Sequence, residues 1–201
     1  MNEKFFDLKK EKQDRMINAA LKVFACNGYT HASTDDIVKE AGISKGLLFH
    51  YFTNKIGLYS FIYDFAARYT ALEMTSSVDR NETDFFGIHI QIKNAEAMVM
   101  KSYPYMVAFL NSVKKETVAE AVNEVYDKLS IVPDKAEEFF RRANTAPFRT
   151  DVDIKKINFI IDCVADNILK SNLKEAEDKP ENYAKQMKEY LYMLKSVSYS
   201  Y

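Results

Sequence analysis

Ser33-Thr34-Asp35-Asp36-Ile37-Val38-Lys39-Glu40-Ala41-Gly42-Ile43-Ser44-Lys45-Gly46-Leu47-Leu48-Phe49-His50-Tyr51-Phe52, residues 33–52, holds two helix starts and a turn within twenty positions. Ser33 reads as an N-cap with an acid three residues on, opening a short helix through Ile37, Val38 and Ala41. Gly42 supplies a tight turn and Ile43 an apolar plug. Ser44 then caps a second short helix, Lys45 to Phe52, in which Leu48 and Phe52 at i, i+4 face inward. That phase turns Lys45, Leu47, Phe49, His50 and Tyr51 outward. Two short helices joined by a Gly-containing turn form a helix-turn-helix, whose second helix has the dimensions of a DNA major groove.

Upstream, Ile17, Ala20, Leu21 and Phe24 mark one face of an amphipathic helix, and Gly28 offers the left-handed residue that ends it. Downstream, Asn54 caps a fourth helix. The starts of the second, third and fourth helices present unpaired N–H groups and positive dipole ends, with Lys45 and Lys55 at two of them, an arrangement suited to phosphate. Taken singly, Phe49 and Tyr51 also fit a role as core aromatics, the commoner fate of aromatics at helical spacing.

The segment from about Met16 to Tyr59 resembles the tetracycline-repressor (TetR) family of bacterial transcription regulators. The resemblance is carried by Ala19-Ala20-Leu21-Lys22-Val23-Phe24, Gly28-Tyr29, Ser33-Thr34-Asp35-Asp36-Ile37, Glu40-Ala41-Gly42-Ile43-Ser44-Lys45-Gly46, Leu48-Phe49-His50-Tyr51-Phe52, Asn54-Lys55 and Leu58-Tyr59. It implies DNA contacts at Thr34, Lys45, Gly46, Leu47, Phe49, His50, Tyr51 and Lys55. Two positions depart from the family pattern: Phe49 stands where Tyr is usual, which removes a hydroxyl, and Leu47 stands where a small residue is usual. Leu47 has the chemistry to meet a thymine methyl.

Beyond Asn54, apolar stretches alternate with Pro or acidic breaks and predict helices near 54–79, 83–102, 104–114, 116–130, 134–146, 151–172 and 181–198. The expected fold is all-α, with a helix-turn-helix domain over 1–53 and a helical ligand-binding and dimerisation domain over 54–201. In the last two helices Ile154, Ile157, Ile161, Val164 and Ile168, and Tyr183, Met187, Tyr190, Leu194 and Val197, step by three and four. Phe159, Ile160, Cys163 and Leu169 lie off that strip, so the first of these helices is apolar on more than one side. A two-fold four-helix interface would satisfy it, and the resemblance also implies a dimer at the last two helices. The expected interface is Ile154, Ile157, Ile161, Val164, Ile168, Met187, Tyr190 and Leu194. The middle of the chain is rich in Phe, Tyr and Met. The resemblance implies a cavity there for a small hydrophobic or aromatic effector, with Phe65, His89, Asn94, Met98, Tyr103, Met106, Phe109 and Phe140 as candidate lining residues.

Composition agrees with long helices. The 201 residues include only 5 Gly and 4 Pro, where average usage gives roughly 14 and 10. Gly28, Gly42, Gly46 and Gly57 crowd the first sixty positions. Net charge is −1, but residues 1–55 carry nine basic side chains against seven acidic, leaving 19 against 22 beyond. The reading head is mildly basic and the body acidic. No run reaches the roughly 18 apolar residues of a membrane span, and the start is charged, so a cytoplasmic protein is expected. Cys26 and Cys163 form no metal or disulfide pattern. The three His are scattered, and no phosphate loop or nucleophile elbow is present, so neither an enzyme nor a cofactor or metal is expected. A ligand-released repressor on a palindromic operator is the expected function. A helical interaction module without DNA binding is the alternative.

Overall fold

The computed structural model describes residues 3–173 and 180–200. Among them lie ten α-helices: α1 (Lys10–His31), α2 (Thr34–Ala41), α3 (Lys45–Phe52), α4 (Lys55–Ser77), α5 (Phe85–Ser102), α6 (Met106–Val113), α7 (Ala119–Val125), α8 (Ile131–Phe140), α9 (Ile154–Asn172) and α10 (Pro180–Ser198). No strand forms among the described residues, and the fold is all-α as expected. The chain groups into two compact units, residues 1–69 with 103–130 and residues 70–102 with 131–201. The head, 1–53, is contained in the first.

In the first unit the caps act as the sequence implies. Ser33 Oγ accepts from the Asp35 N–H at 3.1 Å and Ser44 Oγ from the Leu47 N–H at 3.2 Å. Each satisfies a helix-start donor that would otherwise have no partner. Gly28 takes φ 67°, ψ 178°, so α1 breaks there and adds one more turn, closed by the Ala32 N–H on the Gly28 carbonyl at 3.1 Å. Gly42 takes φ 63° and ends α2 in the left-handed region. The core is aromatic: Phe24 lies edge-on to Tyr59 at 5.0 Å, and Phe109 of α6 packs on both rings. A 3₁₀ turn, Glu3–Phe5, folds back onto α3 and buries Phe5 completely.

In the second unit α5 packs along α10 and against α8. Met74, Val78, Ile88, Ile92, Ala95 and Phe139 form one apolar cluster. Beside it runs a buried polar line. The Lys93 ammonium donates to Glu96 Oε1 at 2.9 Å and Oε2 at 3.0 Å, and the fully buried Tyr183 hydroxyl donates to the same carboxylate. Each charge has partners, the condition under which a buried ion pair is tolerated.

The last two helices correct the expected interface. Ile157, Ile161, Ile168, Met187 and Leu194 are buried inside the chain's own second unit, Ile161 and Met187 to 1% and 0% exposure. In the single chain they are core, and Ile168 also reaches the groove on the outer side. Ile154 is half-buried. The strip left outside consists of Phe159, Ile160, Cys163, Val164 and Asn167 on α9 with Tyr190 of α10, lining a groove of about 280 Å³. Phe159 is 69% exposed, and Met193 and Val197 are exposed on α10. Stepping by three and four identified an apolar strip correctly. It carried no information about which of two apolar strips meets the chain's own core.

His89 supplies a pH prediction. Its ring is buried between Phe85 and Phe140, with centroids at 4.8 and 4.5 Å, and Nε2 lies 3.0 Å from Asn158 Oδ1. Burial, helped by the nearby Lys93 charge, pushes its pKa down to about 3 from 6.5. The folded imidazole is therefore neutral while the unfolded chain takes up a proton as pH falls below 6.5, so stability is intact above that value and declines toward pH 3. At pH 5 the expected loss is about 2 kcal/mol, from 1.36 kcal/mol per pH unit. Urea titrations of wild type and His89→Gln between pH 7.5 and 5 check this, since the variant should lose the slope that His89 contributes.

Candidate nucleic-acid interface

The outer surface of the head is built from the start of α2 and one side of α3. Lys45, Gly46 and His50 are exposed there, and Thr34, Leu47 and Phe49 are half-buried. The Lys45 ammonium lies 2.8 Å from Asp35 Oδ1, with both side chains at least half exposed. A pair in that setting is held by a few tenths of a kcal/mol to about 1 kcal/mol, little enough for a phosphate to take the place of the carboxylate. A Cβ added at Gly46 would meet nothing within 4 Å. The chain's own packing thus gives no reason for a glycine there, although glycine in a helix costs roughly 0.5–1 kcal/mol relative to alanine.

Two of the expected contact residues are placed differently. Tyr51 does not project outward: it is 7% exposed, its ring edge-on to Phe5 at 5.7 Å. Folding back of residues 3–5 covers it, a contact that the periodicity of α3 cannot reveal. Lys55 is engaged with the chain's own backbone, its ammonium donating to the carbonyls of Tyr29 at 2.8 Å and Ala32 at 3.2 Å and lying 4.4 Å from the Tyr29 ring centroid. It satisfies carbonyls left open where α1 breaks at Gly28. The same loop is held from the other side by Glu116, whose Oε2 accepts from the Tyr29 N–H at 3.0 Å. Burial acts to raise the Glu116 pKa, but the N–H groups of Tyr29, Val118 and Thr117 outweigh it and hold the carboxyl below the usual range. Sequence reading missed Glu116, which lies 87 positions from Tyr29.

The expected effector-lining residues divide between the units. In the first, Tyr103 stands edge-on to Phe65 at 5.3 Å and bonds Asp14 at 2.6 Å, while Met106 and Phe109 are fully buried. In the second, His89 and Phe140 are in ring contact. Asn94 and Met98 are exposed, which corrects their expected place in an interior lining. The phase of α5 sets residues 94, 98 and 101 on one outward strip.

A capped pair of short helices with an exposed, cation-bearing second helix, set in an all-α chain, is a helix-turn-helix unit. Residues 16–60 match the family model described as bacterial regulatory proteins, tetR family. An uncharacterized HTH-type transcriptional regulator of Bacillus subtilis (strain 168), YuxN, is 47% identical over 49 residues, 24% of this chain and 17% of that protein. Another of Pseudomonas putida, TtgW, is 33% identical over 70 residues, 35% of this chain and 51% of that protein. The chain thus spans about half or less of the length of these curated relatives. The fold extends the likeness: a TetR family transcriptional regulator from Chloroflexus aurantiacus J-10-FL superposes with a TM-score of 0.62 at 17% identity, covering 98% of this chain and 95% of that one. The TetR family protein CprB from S. coelicolor A3(2) gives 0.64 at 17%, covering 96% and 92%. Residues 16–60 are thus similar to the head segment of the tetR family, and the fold of the chain is similar to that of solved TetR family regulators. No helix among the described residues is long and apolar enough to cross a membrane.

Proposed function

We propose that the chain is a cytoplasmic repressor that binds a palindromic operator as a homodimer and leaves it when a small hydrophobic or aromatic effector binds. The exposed face of α3 carries this reading, with Gly46 as its most telling position. Open space around a helical glycine is accounted for by a partner whose backbone comes close, and a DNA strand is such a partner. Lys45 takes a phosphate, Leu47 and His50 face base edges, and Thr34 meets backbone at the start of α2. Lys55 serves the site indirectly by holding the Tyr29–Ala32 loop from which α2 departs. Two heads are joined through the outer strip of α9 and α10, since reading both halves of a palindrome takes two recognition helices. The effector reading rests on the aromatic interiors of the two units. A ligand that favours one arrangement of the heads over another shifts the population away from the bound form.

Selection from random duplexes tests the core of the proposal: a palindrome should be enriched, and enrichment of none overturns it. On the selected site, Lys45→Ala should weaken all sequences alike and reduce the salt dependence, whereas Leu47→Ala should change the preferred base at one position by about 1 kcal/mol or more. Fluorescence anisotropy over a panel of single-base variants separates the two. Loss of DNA binding on adding a hydrophobic compound that raises the melting temperature would support effector release.

A further inference from the structure

A short segment ahead of the first helix of a domain is ordinarily poorly ordered unless something ties it down. Here residues 3–9 are tied down twice. Phe5 is 0% exposed and inserts among Tyr51 and Phe52 of α3 and Phe61 of α4, with ring centroids at 5.7, 5.1 and 5.3 Å. The Gln13 side-chain amide then donates to the carbonyls of Leu8 at 2.7 Å and Phe6 at 3.1 Å, which fixes the path of the arm into α1. All of this lies upstream of the family match, or reaches back to it from there, since that match begins at residue 16.

The anchored arm has a consequence for charge. Where it joins α1, Lys9, Lys12 and Arg15 line one surface groove together with Asp7, Leu8 and Glu11. Lys10 points elsewhere, bound to Asp14 at 2.6 Å and to the Tyr103 hydroxyl at 2.9 Å. The Arg15 guanidinium reaches the helix-turn-helix turn, 3.8 Å from where a Cβ on Gly42 would be. Three cations therefore lie between the join of the arm with α1 and the α2–α3 turn.

We propose that the N-terminal arm is a working part of the DNA-reading site: Phe5 seats the C-terminal end of the recognition helix, and Lys9, Lys12 and Arg15 take backbone phosphates beside the bases that helix reads. Phe5 is a positioning residue, acting through Tyr51 and Phe52. The cations add affinity without base preference, because phosphates carry no sequence information. Asp7 and Glu11 limit that affinity and keep the edge from holding duplex of any sequence. This inference rests on the DNA-binding reading above and deepens it.

The test uses the full-length protein and its selected operator, with anisotropy titrations at several salt concentrations. K9A/K12A/R15A should flatten the dependence of log K on log salt by roughly 0.9 for each phosphate that the variant no longer neutralises. Its melting temperature and its ranking of base variants should stay unchanged. F5A, measured well below its melting temperature, should lose about tenfold or more of its preference for operator over random duplex, and F5L, which refills the aromatic socket with an apolar group, should recover most of it. An unchanged salt slope in the triple variant overturns the phosphate assignment. Equal loss of operator and random binding in F5A, or no rescue by F5L, overturns the positioning role, and should F5A not fold, F5V takes its place in the same comparison. If wild type itself selects no palindrome, the DNA-binding reading fails; if wild type binds and all variants match it, only the role of the arm fails.

Discussion

Phe159→Asp is expected to convert the proposed dimer to a folded monomer, and Ile161→Asp, two positions away, to unfold the second unit. Phe159 is 69% exposed and Ile161 1%. A carboxylate at 159 costs the isolated chain nothing in core packing. In a two-fold interface formed by the outer strip of α9 it faces apolar side chains of the second copy and loses its hydration. At 161 the same carboxylate is forced among the chain's own apolar side chains with no partner. The expected loss is on the order of 4 kcal/mol or more, a large part of a typical domain's stability. Sedimentation equilibrium read beside thermal melting distinguishes the two results. The monomeric Phe159→Asp protein should also bind a full palindrome far more weakly than wild type, because each head then binds alone and the gain from linking two sites is lost. A Phe159→Asp protein that remains dimeric would move the interface to another surface.

Gly57→Ala is expected to destabilise the head, against what helix propensity says. Gly57 sits in the first turn of α4, where replacing glycine by alanine ordinarily gains up to about 1 kcal/mol. Thr53 reverses that sign. It holds φ 64°, ψ −52°, among the described residues the one non-glycine with positive φ, and so forms a three-residue turn in which the Asn54 N–H donates to the Phe52 carbonyl at 2.6 Å. That carbonyl oxygen stands 2.5 Å from where a Cβ on Gly57 would be, and Asn54 Oδ1, which caps the Gly57 N–H at 2.8 Å, stands at 3.2 Å. Neither obstacle moves freely: one is backbone inside a strained turn, the other a cap in use. Overpacking of this kind costs about 1–3 kcal/mol. Relief would tilt α3 against α4, so operator affinity should fall together with the melting temperature. A Gly57→Ala protein more stable than wild type would mean that the turn opens readily and that Thr53 carries little strain.

The candidate site was legible in the sequence to different depths at different residues. Ser33, Gly42 and Ser44 act as the sequence implies because each acts on backbone within four residues of itself, and such interactions are written in neighbouring positions; Gly28 breaks α1 but does not end it. Lys45, Gly46, Leu47 and His50 reach the surface because Leu48 and Phe52 set the phase of α3. Tyr51 and Lys55 were harder. What covers Tyr51 is Phe5, and what holds Lys55 is a pair of carbonyls more than twenty positions earlier. Gly57 is explained only by the carbonyl of Phe52 beside it.

The sequence by itself therefore determined the helices, their caps and breaks and the two-helix reading unit, all of which depend on local geometry and on apolar period. Only the tertiary structure decided which of the two apolar strips of α9 is core, that Asn94 and Met98 face out, and that the N-terminal arm is seated on the recognition helix. The physical reason is the same in each case. Periodicity states that a face must be buried, and burial against the chain's own core or against a second molecule satisfies it equally well; only the placement of residues far apart in sequence says which has occurred.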